Sequence, residues 1–457
     1  MITLPRARCL ALLGISSSKK QVKQIHAQMI ANSLLRQPLA VGKLIERYSA
    51  VLGGADDARL VFRHADMEPE GSAFVWNVMI RCCLPQESLL LYSQEITRKR
   101  VIIPDSFTYT YVLRACARLN ALREGTQVHA QILKSGVASS VAVQTTAIYF
   151  YASCKDMDSA HHLFDKMTTR SHVTWNALMT GYCINGLAKE TLILLKSMLE
   201  EGMKPTDRTV VSLLSACSQL GDLAMASAAH ACVYKSVPFH EECVFIGTGL
   251  IDMYSKCGCL SSASRVFERI SKRNVLTWSA MMAGLAFHGK GKAAMGLLEV
   301  MEKDGAAPNA ITLTCLLSAC CHAGLVDEGL HLFDAMDRLG VEPSMQHYGC
   351  IVDLLGRAGM VEEAHSFVKR MPVKPDAVVW RALLGACVTH GHVELGEEVG
   401  KILLQIERAA TTTPRTCEDY VALSNVYASA ERWEDVSALR EAMRNGGVRN
   451  RAGRSSV

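Results

Sequence analysis

Residues 171–205 read SHVTWNALMTGYCINGLAKETLILLKSMLEEGMKP. Two helical patterns flank the polar turn Ile184-Asn185-Gly186. Over 174–184, Leu178 and Tyr182 stand four apart, and over 188–201 Leu192, Leu195 and Leu199 recur at three or four. That spacing places apolar side chains on one face of a helix. Gly202 and Pro205 then stop the second helix. The stretch predicts a helix–turn–helix hairpin whose apolar face it cannot bury by itself.

The same unit recurs along the chain. Gly186, Gly221, Gly258, Gly289, Gly324, Gly359 and Gly391 each close a short turn, at spacings of 35, 37, 31, 35, 35 and 32 residues. Hairpins repeated at such a period bury their apolar faces by stacking on their neighbours, which predicts an all-α fold of the α-solenoid type. A longer period lies over the short one. Trp76, Trp175, Trp278 and Trp380 are 99, 103 and 102 apart, Tyr48, Tyr151 and Tyr254 are each 103 apart, and an Ala-Cys pair begins at 115, 216 and 319. Units therefore come in triplets of roughly 35, 35 and 31 residues. A uniform tetratricopeptide scaffold, with its period of about 34, does not alternate in this way.

Composition agrees with an array. The chain has 457 residues, too many for one core, and is 49% hydrophobic without an uninterrupted apolar run near 18 residues. A net charge of +5 is modest for a protein held mainly by phosphate contacts. Its 17 cysteines sit mostly beside small residues in helical runs, as in Ala115-Cys116 and Ala216-Cys217, where a thiol serves as a small core side chain. Residues 1–45 hold Arg6, Arg8, Lys19, Lys20, Lys23, Arg36 and Lys43, with the first acid at Glu46. An acid-free basic start of this kind reads as an organelle transit segment overlapping the first repeat.

Three recurring segments carry a family resemblance. Ser171-His172-Val173-Thr174-Trp175-Asn176 looks like the start of a P motif, Val211-Ser212-Leu213-Leu214-Ser215-Ala216-Cys217 resembles an L motif, and Gly249 through Gly258 is close to an S motif. In this order they resemble the PLS subfamily of plant pentatricopeptide-repeat proteins. The units fall at S 38–72, P 73–105, L 106–140, S 141–171, P 172–206, L 207–243, S 244–274, P 275–309, L 310–344 and S 345–376. Residues 1–37 hold the transit-like segment and an incomplete L motif at 9–37; the P motif at 73–105 is two residues short near Leu84-Pro85. The triplet register breaks after Asp376, and 377–410 and 420–457, joined by Thr411 to Thr413, resemble the family's two E motifs.

The resemblance implies an α-solenoid coiled into a right-handed superhelix that binds single-stranded organellar RNA. It further implies that the fifth and last residues of each P and S motif read one base through its Watson–Crick edge. Those pairs are Asn77/Asp105, Thr145/Ser171, Asn176/Thr206, Thr248/Asn274 and Ser279/Asn309. The competing reading makes them helix N-caps, where Asn, Asp, Ser and Thr are favoured anyway. By the family register the last S motif, with Gly349 and Asp376 at these positions, lies opposite the base four before an edited cytidine. The implied role is site recognition for C-to-U editing in mitochondrion or chloroplast, the mitochondrion ahead. A DYW-type deaminase would act in trans, with organellar editing adaptor proteins as further partners. Splicing or transcript stabilisation is the alternative RNA role. No cofactor, small-molecule substrate or membrane is expected.

Catalytic candidates are thin. His392-Val393-Glu394 matches the His-x-Glu of zinc deaminases, but only Cys417 follows and no Cys-x-x-Cys occurs anywhere, so the ligand set is incomplete. Cys257-Gly258-Cys259 and Cys320-Cys321-His322 read as residues of inter-helix turns. The tryptophans and the series Phe62, Phe164, Phe267 and Phe333 read as core rather than as stacking platforms for bases.

Overall fold

A computed structural model describes residues 6–51, 53–64, 69–236, 243–409 and 417–445. Among these every regular element is helical. The chain divides into two compact units, residues 1–216 and 217–457. Within each, the first helix of a hairpin packs against the first helix of the next, and the second helix lies behind them, so each unit is a two-layer stack. No described helix is long and apolar enough to cross a membrane.

The hairpin at 171–205 shows why the sequence folds so. Its first helix, His172–Ile184, begins two residues earlier than its apolar spacing suggests because Ser171 caps it: the Ser171 hydroxyl accepts from the backbone N–H of Thr174. Gly186 takes φ +73°, in the left-handed region, and all seven glycines of the repeat series do likewise. A residue with a side chain is strained there, so the period was readable from glycine alone. Trp175 and Trp278 are buried edge-on against Phe164 and Phe267, with ring centroids 4.8 and 5.0 Å apart. Trp76, Trp380, Phe62 and Phe333 are only partly buried.

Two expectations need correction. On the second helix, Ala188–Glu200, the buried stripe is Thr191, Leu194, Leu195 and Met198; Leu192 is half-buried and Leu199 is 46% exposed. A second helix contacts its own first helix and the next one, so its buried face is wider and rotated from the leucine line. Likewise Cys320, Cys321 and His322 belong to the last turn of the helix Ala310–Ala323, with both thiols buried, and only Cys257 to Cys259 form a turn.

The short P motif folds with its first helix ending at Cys82 and its second starting at Pro85; the latter continues as a π-helix over Leu91–Arg98. Residues 6–31 form two helices, and Lys19 and Lys23 both pair with Asp57 at 2.8 and 3.4 Å. The Thr-rich joint at 411–413 lies outside the described residues.

Candidate nucleic-acid interface

The five predicted pairs occupy one recurring place, where the first helix of a motif meets the start of the next first helix. Asp105, Ser171, Asn274 and Asn309 are N-caps, each accepting the backbone N–H three residues on. Thr206 does the same for Thr209, at 3.4 Å. The cap reading is therefore correct for the last residue of every pair. It fails for the fifth residues, which sit inside their helices and reach forward to the next motif.

Asn77 Nδ2 donates to both carboxylate oxygens of Asp105, at 3.0 and 3.1 Å, and Asn176 Nδ2 donates to Thr206 Oγ1 at 3.1 Å. The other three pairs are joined through a third hydroxyl. Thr145 meets Thr174 Oγ1 at 2.9 Å, which meets Ser171 Oγ at 3.1 Å. Thr248 meets Thr277 Oγ1 at 3.2 Å, and Ser279 meets Thr312 Oγ1 at 3.0 Å. Thr277 and Thr312 bond Asn274 and Asn309 in turn, both at 3.1 Å. Asn77, Thr145, Asn176 and Ser279 are buried in this network, while Asp105, Ser171, Thr206 and Asn309 are half-buried and Asn274 is exposed. Buried polar groups that are mutually bonded are held in fixed orientations at little cost.

Two further residue sets share these sites and had not been singled out from sequence. The first is the threonine at the third position of the next helix: Thr108, Thr174, Thr209, Thr277 and Thr312 are all fully buried. Its signal was a cap residue followed three places later by Thr, five times over. The second set lies at the second position of seven motifs, two residues after the cap where one is described. Phe74, Phe107, Val173, Phe245, Leu276, Ile311 and Val378 are 44–70% exposed, although large and apolar. They fall off every core stripe, which is the clue that was available. An exposed apolar side chain beside most of the polar clusters offers a surface for a flat base or ring, with hydrogen-bonding groups at its edge.

Burial pushes the Cys116 thiol up to about 12 and those of Cys320 and Cys387 up to about 11, so they remain protonated and unreactive. His392 Nδ1 faces Glu362 Oε1 at 3.7 Å. Among the described residues no three His, Cys, Asp or Glu side chains gather to hold a metal ion.

Within each compact unit, stacked helical hairpins with polar clusters at the P- and S-type junctions define a helical-repeat protein. The PPR repeat family models match residues 170–219, 248–275, 273–322, 311–341 and 347–374, and the E motif model matches 390–457. Pentatricopeptide repeat-containing protein At3g18970 of Arabidopsis thaliana is 41% identical over 99% of both chains. The chloroplast protein CRR2 of the same plant is 34% identical over 96% of this chain and 67% of its own. The chain belongs to the pentatricopeptide-repeat family. Its fold is also similar to that of maize PPR10, solved in complex with an 18-nt psaJ RNA element, with a TM-score of 0.61 at 19% identity, over 93% of this chain and 63% of that one.

Proposed function

We propose that this protein binds single-stranded organellar RNA in a sequence-selective way and chooses cytidines for C-to-U editing by a deaminase supplied in trans. One observation carries the reading: five polar clusters at P- and S-type junctions, most flanked by an exposed apolar side chain and each built from the residues the family uses for base readout. The E motif match, the RNA in the PPR10 complex, and relatives named as chloroplast or mitochondrial proteins support it. Residues 38–376 would select the RNA and 377–457 would engage the deaminase, directly or through adaptors.

Counting one base per motif, the target carries A six and seven before the cytidine, a pyrimidine nine before and U twelve before. The decisive experiment sequences organelle transcripts from plants lacking the protein. Loss of conversion at one or a few cytidines is expected, with re-expression of residues 1–376 restoring RNA binding but not conversion. Intact conversion at every cytidine, with a splicing or transcript-level defect instead, would replace editing with the alternative RNA role.

A further inference from the structure

At two junctions the third-position threonine sets more than packing. A hydroxyl has one proton and two lone pairs, whereas a carboxamide has a carbonyl end and an amino end that differ in every hydrogen bond they make. The backbone N–H of Asp105 donates to Thr108 Oγ1 at 3.1 Å, and that of Thr206 donates to Thr209 Oγ1 at 3.0 Å. Thr108 Oγ1 also lies 2.9 Å from Asp105 Oδ1 and Thr209 Oγ1 3.0 Å from Thr206 Oγ1, but the contacts to the carboxamide of the preceding motif are shorter and take the proton: Thr108 donates to Asn77 Oδ1 and Thr209 to Asn176 Oδ1, both at 2.7 Å. That length suits O–H···O and is short for N–H···O. At Asn77 the amino end also meets Asp105, whose carboxylate can only accept.

From this geometry, and resting on the RNA-reading role proposed above, we infer that Thr108 and Thr209 are positioning residues that fix which atom Asn77 and Asn176 present. Each carbonyl oxygen is held inward. The amino group spends one proton on Thr206, or shares it between the two oxygens of Asp105, and keeps the other as an N–H donor for the RNA. The reading unit is then a triad spanning two motifs rather than a pair. Asn77 with Asp105 offers a donor beside an acceptor, which matches the carbonyl and N3–H of uracil. Asn176 with Thr206 offers a donor to the carbonyl that both pyrimidines carry.

The L-type motifs supply the contrast. Behind Thr110, at the fifth position of an L motif, stands the buried apolar side chain Val143. Behind Thr314 stands His347, whose Nε2 bonds the Ala310 carbonyl at 2.9 Å. Thr110 and Thr314 turn back onto their own helices, donating to the carbonyls of Ser106 and Ala310 at 2.8 and 2.9 Å, whereas Ser279, which also lies 2.8 Å from the Val275 carbonyl, meets Thr312 Oγ1 of the next motif as well. Which motifs can read a base is thus written partly in the motif that follows.

The test binds the full chain to a pool of short single-stranded RNAs randomised in sequence and sequences what is retained. Asn176→Ala first identifies the nucleotide opposite that motif as the one whose preference it erases. Thr209→Val, which keeps shape and removes the proton, should then lower discrimination at that nucleotide alone by roughly tenfold. Preferences elsewhere and the melting temperature should change little, and Thr209→Ser should restore the preference. Thr108→Val is the parallel variant at Asn77, and decides the matter if Thr209→Val does not fold. Full discrimination in the Val variants, or equal weakening for every RNA, would overturn the inference while leaving RNA reading in place. A wild-type chain that enriches no base opposite Asn176 would instead overturn the RNA-reading proposal on which it rests.

Discussion

Asn176 and Arg381 hold the same place in their motifs, the fifth residue of the first helix, yet they do opposite things. Asn176 is held by two neutral hydroxyls, Thr206 and Thr209, and keeps a donor to spare. Arg381, in the first E-like unit, forms a two-pronged ion pair with Asp419 of the next, Nε to Oδ1 at 2.6 Å and an Nη to Oδ2 at 2.9 Å. Asp419 is 2% exposed. The hairpin architecture continues through the register break while the junction changes from hydroxyls and amides at Asn176 to an ion pair at Arg381. Nearby, Arg432 bridges Glu397 and Asp435 and stacks on Tyr427, with its guanidinium carbon 4.7 Å from the ring centre. A buried carboxylate must keep its partner, so this end of the chain is built to hold a shape; a junction of hydroxyls and amides can exchange partners with a ligand.

Breaking the charged junction should have the largest effect. Asp419→Ala leaves a partly buried guanidinium without its carboxylate and should cost about 2–3 kcal/mol, below the full value for a buried pair because Arg381 is more than a third exposed. Denaturant unfolding should show the loss, and RNA affinity should hardly change. Replacing both partners, Arg381→Met with Asp419→Leu, should recover most of the stability. If Asp419→Ala instead abolishes RNA binding at unchanged stability, the E-like junction belongs to the reading face and the contrast collapses.

Within the array, changing one amide into a carboxylate should shift specificity rather than stability. Asn309 Oδ1 is occupied by the backbone N–H and hydroxyl of Thr312, at 3.0 and 3.1 Å, so its amino group is the end left for a base. A donor there suits the N1 acceptor of adenine. In Asn309→Asp one oxygen still caps the helix, and the other becomes an acceptor that suits the N1–H and N2–H of guanine. The preference opposite Ser279/Asn309 should move from A towards G by about 5- to 150-fold, the value of roughly 1–3 kcal/mol for one side-chain–base pair. Binding to A and G variants should be compared at one salt concentration, because phosphate contacts vary with salt. Identical affinities before and after the substitution would sink the assigned register.

What the sequence disclosed divides along physical lines. Gly186 and its six relatives were readable because a left-handed residue is a local requirement that almost only glycine meets cheaply. Trp175 and Trp278 were readable as core because a large ring at a fixed period has nowhere else to go. Leu199 misled because a second helix touches two neighbours, and sequence spacing does not say where the second contact lies. The contact of Thr209 could not be read from sequence because its partner, Asn176, lies thirty-three residues earlier, and the atom it meets is a matter of geometry. Asn176, whose residue type suits a helix cap, instead lies inside its helix and bonds Thr206 and Thr209 of the next motif.

Acidification offers the finest separation of the two regions, because their junctions lose protonation balance in different windows. His129 Nδ1 lies 2.9 Å from the Tyr151 hydroxyl, and burial pushes the imidazole below its ordinary value. The same pairing recurs at His26 and Tyr48, at 3.1 Å, with His26 lowered chiefly by burial. These rings are neutral in the fold, so below about pH 6.5 the unfolded chain takes up protons that the folded chain refuses. Their contribution is full above that value and is lost as pH falls further. Glu397, held below the ordinary carboxylate range chiefly by its hydrogen bond to Lys401 and then by Arg432, keeps its contribution until the pH reaches that of free carboxylates, about 4. Between about pH 7.5 and pH 5.5 the array should therefore lose stability while the E-like hairpins do not. Amide exchange should report it as lost protection around Tyr151 and unchanged protection around Tyr427. His129→Gln, which can still bond Tyr151 but does not titrate, should flatten the loss around Tyr151. An unaltered pH slope in that variant would place the sensitivity elsewhere.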